Sequence, residues 1–297
     1  MTDATPPPTR DRSAAARAEG SGRRAAVLGA PIAHSLSPVL HRAAYARLGL
    51  AGWSYGRHEV DEAALPGFLE QLAREDPEGR WAGFSLTMPL KRVVIPLLDE
   101  VDPTASAVNA VNTLVFRADG TRYGANTDVA GFAAALGECG VTSVGGAAVL
   151  GAGATAGSAL AALSELVKGP ITVYLRNPAR LAEFDALVAH FELELDPRPW
   201  SDAADAAEFE LVVNTTPAGA ADALAERLPG RVGTLFDVLY HPWPTPLAEA
   251  WAARGGAVLG GRDLLVHQAV RQVELMTGIE DRPAEILEAM RSALSAL

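Results

Sequence analysis

Lys91 and Asp128 are the residues of this chain best suited to move a proton, and each stands in a short polar cluster. An ammonium can donate or relay a proton, and a carboxylate can orient it and hold a hydroxyl. A free lysine, with a pKa of about 10.4, is a poor base near neutrality. Partial burial lowers that value and a nearby carboxylate raises it, so the sequence alone leaves the working pKa open. The neighbouring clusters are Ser35 and Ser37 in a proline-bounded loop, Thr87 just before Lys91, Asn112 ahead of Thr113, and Asn126-Thr127-Asp128. Hydroxyls, amides, an ammonium and a carboxylate together suit a small polyhydroxylated acid. Serine hydroxyls donate to a carboxylate but supply no proton at a useful pKa, so Ser35 and Ser37 are expected to bind rather than to react. Structural readings stand beside these. Ser37 could cap a helix, Asn112 could satisfy a turn, Asp128 could cap the helix it starts, and Lys91 with Asp128 could be a salt bridge closing a cleft.

A second kind of chemistry is written in Ala147-Ala-Val-Leu-Gly-Ala-Gly-Ala-Thr-Ala-Gly157. Ala147–Leu150 suits a buried parallel strand. Gly151, Gly153 and Ala156 then match the Gly-x-Gly-x-x-Gly/Ala dinucleotide fingerprint. Gly151 permits a tight turn, Gly153 lets a pyrophosphate approach the backbone, and Ala156 lets helix pack on strand. The loop Gly151, Ala152, Gly153, Ala154, Thr155 is expected to hold the cofactor phosphates, with a helix from Ala154 to Val167 whose free N–H groups face them. The next strand, Ile171–Leu175, ends in Arg176-Asn177, with Arg180 beyond and no carboxylate before Glu183, which falls in a helix. A bare ribose hydroxyl wants an acidic acceptor at this point, whereas guanidinium groups suit a 2′-phosphate. The cofactor expected is therefore NADP.

These groups need strands to deliver them. Expected strands in the first half are Ala25–Gly29, Tyr55–Val60 and Trp81–Leu86, with a hairpin of Asn112–Phe116 and Thr121–Gly124 around Asp119-Gly120. Expected helices are Val39–Leu48 with Ser37 as N-cap and Pro38 at its first position, Glu62–Arg74, a stretch from Lys91 to about Leu98, and Thr127–Cys139. Beyond the fingerprint, strands are expected at Ile171–Leu175, Glu210–Asn214, Gly233–Val238 and Ala257–Leu259. Helices Leu264–Thr277 and Pro283–Ala296 follow with no strand between them. The alternation predicts an α/β fold with mostly parallel sheets, in which ligands bind outside the carboxyl ends of the strands. Two domains are expected. Residues 24–127 with 263–297 form the substrate domain, and residues 128–262 a Rossmann-like cofactor domain with substrate in the cleft between.

The bulk numbers limit the alternatives. The chain has 297 residues, 49% hydrophobic and 21% charged, enough for two domains with a real core. A net charge of −11 argues against a nucleic-acid surface and against an anionic membrane surface. Residues 1–23, rich in Pro, Ala and Arg, are expected to be a disordered tail without the apolar core of a signal peptide. No apolar run reaches the length of a membrane span. The six histidines show no ligand spacing, so no metal site is expected. Cys139 is the single cysteine, which excludes an internal disulfide and fits a reducing cytoplasm; it is expected to be buried or idle near a helix end.

Several ordered segments resemble the shikimate dehydrogenase family. They are Ala33-His-Ser-Leu-Ser-Pro38, Ser85-Leu-Thr-Met-Pro-Leu-Lys91, Ala110-Val-Asn-Thr113, Gly124-Ala-Asn-Thr-Asp128, Gly151-Ala-Gly153, Asn214-Thr-Thr-Pro217, Asp237-Val-Leu-Tyr240 and Leu264-Leu-Val-His-Gln268. The resemblance runs from about Ala25 to the C-terminus. It implies NADPH-dependent reduction of 3-dehydroshikimate to shikimate, on the route to chorismate and the aromatic amino acids, by a cytoplasmic monomer or homodimer. By the same likeness Ser35 and Ser37 hold the substrate carboxylate. Thr87, Lys91, Asn112, Asp128 and Gln268 contact the ring hydroxyls, with Tyr240 nearby. The resemblance also implies that Asn214, Thr215 and Thr216 face the cofactor, and that Val238, Gly261 and Leu264 lie on its nicotinamide side. The chain departs from the family in having Ala154 for a further glycine, Leu175-Arg176-Asn177 at the end of the second Rossmann strand, and Leu264 for a methionine. A relative acting on quinate or on an amino-substituted analogue is the nearest rival, though Arg176 and Ser37 argue against quinate with NAD. A non-catalytic NADP-binding regulator is the rival from another class; such a protein would not need Lys91 and Asp128.

Overall fold

Apolar runs such as Ala25-Ala-Val-Leu28 and Ala147-Ala-Val-Leu150 are buried on both faces, as strands inside covered parallel sheets must be. The computed structural model describes residues 22–76 and 78–297, so the expected tail lies, apart from its last two residues, outside the described residues. Two six-stranded sheets result. The first contains β1 (Arg24–Gly29), β2 (Ser54–Glu59), β3 (Trp81–Leu86), β4 (Glu100–Val101), β5 (Thr113–Phe116) and β6 (Arg122–Ala125), in the order β2-β1-β3-β5-β6-β4. β1 runs parallel to β2 and β3, and β5 runs antiparallel to β3 and β6. That single reversal matters for the site. Ser85 near the end of β3 faces Thr113 at the start of β5, and Thr113 faces Ala125 at the end of β6. The segments carrying Thr87–Lys91, Asn112 and Asn126–Asp128 therefore leave the sheet at one edge.

The second sheet contains β7 (Ala147–Leu150), β8 (Ile171–Leu175), β9 (Leu195–Pro199), β10 (Leu211–Asn214), β11 (Thr234–Asp237) and β12 (Ala257–Gly260). Its order is β12-β11-β10-β7-β8-β9 and every pairing is parallel. This is the doubly wound dinucleotide-binding order, whose switch point lies between β7 and β10. The helices Gly261–Thr277 and Pro283–Ser295 return to the first sheet, where Val266, Val273, Ile286 and Met290 pack with Ala25, Val27 and Tyr55. Gly261–Thr277 also lies close against the helix Thr127–Glu138. A Cβ on Gly131 would meet the Gln268 backbone nitrogen at 3.0 Å, so glycine sets that approach. No helix among the described residues is long and apolar enough to cross a membrane.

Several expectations are corrected. Ser37 is the first residue of the helix Ser37–Arg47 rather than its cap. Leu36 holds the cap position without a side-chain bond, and Ser35 Oγ accepts from the Ser37 amide at 3.3 Å. Asp128 does not cap its helix either, because Asn126 accepts from the amides of Asp128 at 3.0 Å and Val129 at 3.3 Å. The helix after Lys91 stops at Val93 and gives way to a 3₁₀ turn, Ile95–Leu97, around Pro96, which has no N–H to continue the ladder. The segment after Asn177 is a 3₁₀ helix, Pro178–Phe184, so Glu183 is not in an α-helix. The helix from Ala154 ends at Leu163, and Val167 instead bridges Val144. The short strand β4, the edge strand β9 with its two prolines, and the helix Pro103–Val108 were not expected. Cys139 sits at the helix end as expected, but exposed.

His41 lies fully buried in the first helix, its ring stacked on Tyr55 with centroids 3.9 Å apart. Nδ1 lies 3.0 Å from the Ser37 carbonyl, an acceptor only, so Nδ1 carries the proton; Nε2 has no hydrogen-bond partner among the described residues. Burial lowers its pKa from 6.5 to about 4. A depressed folded pKa gives stability that is present above the unfolded value and lost as pH falls through the folded one. Urea unfolding should therefore show stability falling by roughly 2–3 kcal/mol between pH 7 and pH 4.5. His41→Phe should flatten that slope; an unchanged slope would assign the titration to another group.

Candidate functional site

At the edge where β1, β3 and β6 end and β5 begins lies a cavity of about 370 Å³. Ser35, Ser37, Thr87, Lys91, Asn112, Asp128, Tyr240 and Gln268 all line it. Lys91 comes from the helical turn after β3, and its own carbonyl accepts from the Val111 amide at 2.7 Å, which ties that turn to the approach of β5. Lys91 Nζ donates to Asp128 Oδ2 at 2.6 Å. The other carboxylate oxygen, Oδ1, accepts from Asn112 Nδ2 at 2.8 Å. The Asn112 amide is oriented in turn, since its Oδ1 accepts from the Thr127 backbone N–H at 2.8 Å and from Thr113 Oγ1 at 2.8 Å. Gln268 Oε1 closes on this group at 3.4 Å from Asn112 Nδ2. The side chains of Lys91 and Asp128 are 18% and 7% exposed, so the pair is held largely out of water with one face open to the cavity. Nζ has N–H donors beyond the one given to Asp128, and these can reach a ligand. Burial pushes the Tyr240 phenol above its ordinary pKa, so it remains a neutral hydrogen-bonding group.

A larger groove of about 720 Å³ runs over the carboxyl ends of β7, β8 and β10. Gly151, Ala152, Gly153, Ala154 and Thr155 line it together with Arg176, Asn177, Arg180, Thr215 and Thr216. Gly151 has φ +107°, a conformation that side chains rarely adopt, and a Cβ there would lie 2.8 Å from Thr215 Oγ1. A Cβ on Gly153 would meet nothing within 4 Å, so this position leaves the backbone open to a ligand. The helix Ala154–Leu163 starts here and turns unpaired N–H groups toward the groove. Asn177 caps the following 3₁₀ helix, accepting from Ala179 at 3.1 Å. Arg176 is exposed and forms no ion pair with a described residue. Arg180 is engaged by Glu183 through contacts of 2.9 and 3.1 Å, and Glu183 also pairs with Arg92 from the other half of the cleft. Hydrogen bonding from Arg180, then from Arg92, holds the Glu183 carboxyl below its usual range.

Thr87, Met88, Lys91 and Thr155 line both spaces, so cavity and groove are continuous, and the Lys91–Asp128 pair stands near their junction. Val238, Gly261 and Leu264, expected on the cofactor side, line the smaller cavity next to Tyr240 and Gln268. Asn214 is not in the groove. It is buried below it and accepts from Thr216 N at 3.2 Å and Thr216 Oγ1 at 2.7 Å, which makes it a support for the loop. The sequence reading missed Ser85 and Gln272, which also line the cavity, and Tyr55 behind them. The spacing of Gln268 and Gln272, one helical turn apart, was a usable signal, because such residues share a helix face.

Asn112→Ala would strip the acceptor from the Thr127 amide and from the Thr113 hydroxyl inside the protein. Leaving buried donors unpaired costs about 1–3 kcal/mol. Urea unfolding should show a loss of that order; undiminished stability would mean that Asn112 does not hold this junction.

A family model described as the shikimate dehydrogenase substrate binding domain matches residues 27–114. The chain is 38% identical over 276 residues to a shikimate dehydrogenase (NADP(+)) of Thermus thermophilus, covering 91% of this chain and 98% of that one. Mycobacterium tuberculosis shikimate dehydrogenase aligns in structure with a TM-score of 0.81 at 40% identity, covering 93% of this chain and all of the other. The Thermus thermophilus shikimate 5-dehydrogenase solved in complex with NADP(H) and shikimate aligns with a TM-score of 0.75 at 35% identity, covering 91% of this chain and 99% of that one.

Proposed function

The chain belongs to the shikimate dehydrogenase family, and on that premise we propose that it catalyses the reversible, NADPH-dependent reduction of 3-dehydroshikimate to shikimate. The observation that carries the proposal is the Lys91–Asp128 pair, set near the junction of a small polar cavity and a dinucleotide-sized groove. Residues 24–127 with 263–297 are assigned to the substrate half, and residues 128–262 to the cofactor half.

The groove fits NADP. Gly151 and Gly153 would let the pyrophosphate approach the loop, the helix start at Ala154 would face it, and Arg176 would meet the 2′-phosphate. Arg180 could join Arg176 by exchanging its hold on Glu183 for the phosphate, while Glu183 kept Arg92. When bound, NADPH supplies the hydride.

The substrate-side roles follow from the donors and acceptors present. Ser35 and Ser37 donate to the substrate carboxylate. Thr87, Asn112, Gln268 and Tyr240 hold and orient the ring with its hydroxyls. As the substrate ketone becomes an alkoxide, the Lys91 ammonium gives it a proton. Asp128 keeps Nζ aimed and accepts from a substrate hydroxyl, and Asn112 keeps Asp128 aimed. The remaining exposure of Lys91 gives it a path for exchange with solvent. In the reverse direction the same nitrogen takes the proton. The reading carries with it a place on the route to chorismate and the aromatic amino acids. A cytoplasmic setting suits a chain whose one cysteine forms no disulfide.

The test is absorbance at 340 nm with shikimate, quinate and their amino analogues, each with NADP and with NAD. Turnover should be fastest for shikimate with NADP. Arg176→Asp should raise the KM for NADP by about tenfold or more, since a charge-assisted contact is worth about 1.5–3 kcal/mol, and should narrow the gap to NAD. Quinate preferred over shikimate would move the protein to the rival substrate, and no turnover on any of them would make it a binding protein.

A further inference from the structure

Behind the substrate cavity runs a chain of buried hydrogen bonds that the mechanism above does not use. Gln272 Nε2 donates to the Asn112 carbonyl at 3.2 Å and to Thr113 Oγ1 at 3.2 Å. Ser85 Oγ lies 2.6 Å from Gln272 Oε1 and 2.6 Å from the Tyr55 hydroxyl. Ser85, Gln272 and Tyr55 are 4%, 1% and 1% exposed, so water does not share these bonds. Ser85 and Gln272 line the cavity, and Tyr55 lies beneath them.

The protons in this chain can be placed by elimination. A backbone carbonyl only accepts, so the Gln272 group facing Asn112 must be the amide N–H₂, and the oxygen therefore faces Ser85. Two oxygens 2.6 Å apart need a proton between them. Gln272 Oε1 has none to give, so Ser85 donates. A serine hydroxyl has one proton and two lone pairs. With its proton committed to Gln272, Ser85 accepts from Tyr55, and one lone pair is left.

We infer that Ser85 is a specificity-determining residue: Gln272 holds its proton, so Ser85 offers the substrate only a lone pair and selects a ring substituent that donates a hydrogen bond. The inference rests on the proposed reaction. A ring hydroxyl satisfies this site. A carbonyl, ether or fluorine placed there brings one acceptor against another. Gln272 is the positioning residue behind that choice. It acts through Ser85, and the Asn112 carbonyl and the Thr113 hydroxyl fix its own amide.

The test compares kcat/KM for shikimate with that for deoxyfluoro analogues in which each ring hydroxyl other than the one oxidised is replaced in turn. Fluorine is small and cannot donate. For one analogue, the ratio of shikimate to analogue should fall by about tenfold in Ser85→Ala, while the ratio for the other keeps its wild-type value. The same ratio should fall in Gln272→Met, where the Ser85 proton is released and can turn toward the fluorine. Tyr55→Phe should keep it, because Tyr55 gives a proton to Ser85 and receives none from it. A general loss of structure would lower all substrates in parallel and leave the ratios unmoved. Wild-type ratios for every analogue in Ser85→Ala would overturn the inference, as would loss of selectivity in Tyr55→Phe. If Gln272→Met fails to fold, Ser85→Ala and Tyr55→Phe still decide the matter. A wild-type protein inactive on shikimate would instead overturn the proposed reaction on which the inference stands.

Discussion

A carboxylate as buried as Asp128 is tolerable only if its charge and its lone pairs are satisfied. Lys91 answers one oxygen and Asn112 the other, and much of the first sheet can be read as the means of bringing these three residues to one point. Lys91 needs β3 to end at this edge, Asp128 needs β6 to end there, and Asn112 needs β5 to begin there. A purely parallel sheet would send the start of β5 to the far edge. The antiparallel insertion of β5 is thus the topological condition for the pair. The returning helix Gly261–Thr277 completes the enclosure with Gln268 and Gln272, and glycine at position 131 lets it come close.

The second sheet answers a different electrostatic demand. A dinucleotide is anionic along much of its length, and a chain of net charge −11 must meet it with local positive potential. Backbone N–H groups at a helix start, two arginines at the end of β8, and glycine where side chains would block approach provide it without a general basic surface. Glu183 sits within this region, yet its charge is engaged by Arg180 and by Arg92. The latter contact also links the two halves across the groove.

Much of this was legible in the sequence because the signals were local. Apolar runs ending at glycine mark β1 and β7, the alternating β-forming residues Ile171–Leu175 mark β8, and Asp119-Gly120 marks the β5–β6 hairpin. Polar residues at expected strand ends mark the cavity, and the structure gathers Ser35, Ser37, Thr87, Lys91, Asn112, Asp128, Tyr240 and Gln268 around it. What was hidden depended on partners distant in the chain. Tyr55 reads as a core aromatic until its hydroxyl is seen to meet Ser85, 30 positions away, and Ser85 meets Gln272 after 187 more. Strand β9, carrying Pro197 and Pro199, looks like a loop until β8 supplies its one neighbouring strand among the described residues. Ser37 and Asp128 do not cap for a local reason: both helices start earlier than those roles require, so the Ser37 amide goes to Ser35 and the amides of Asp128 and Val129 go to Asn126. The exchange leaves both Ser37 and Asp128 available to the cavity.

The claim at the centre of this account is that Lys91 handles the proton. The most direct measurement is the turnover of Lys91→Ala at saturating shikimate and NADP, with circular dichroism to confirm that the variant is folded. General acid–base groups contribute about 10²–10⁴-fold, so kcat should fall by that range while the KM for shikimate changes far less. Near-wild-type turnover in a folded variant would contradict the account and leave Lys91 as a salt-bridge partner of Asp128.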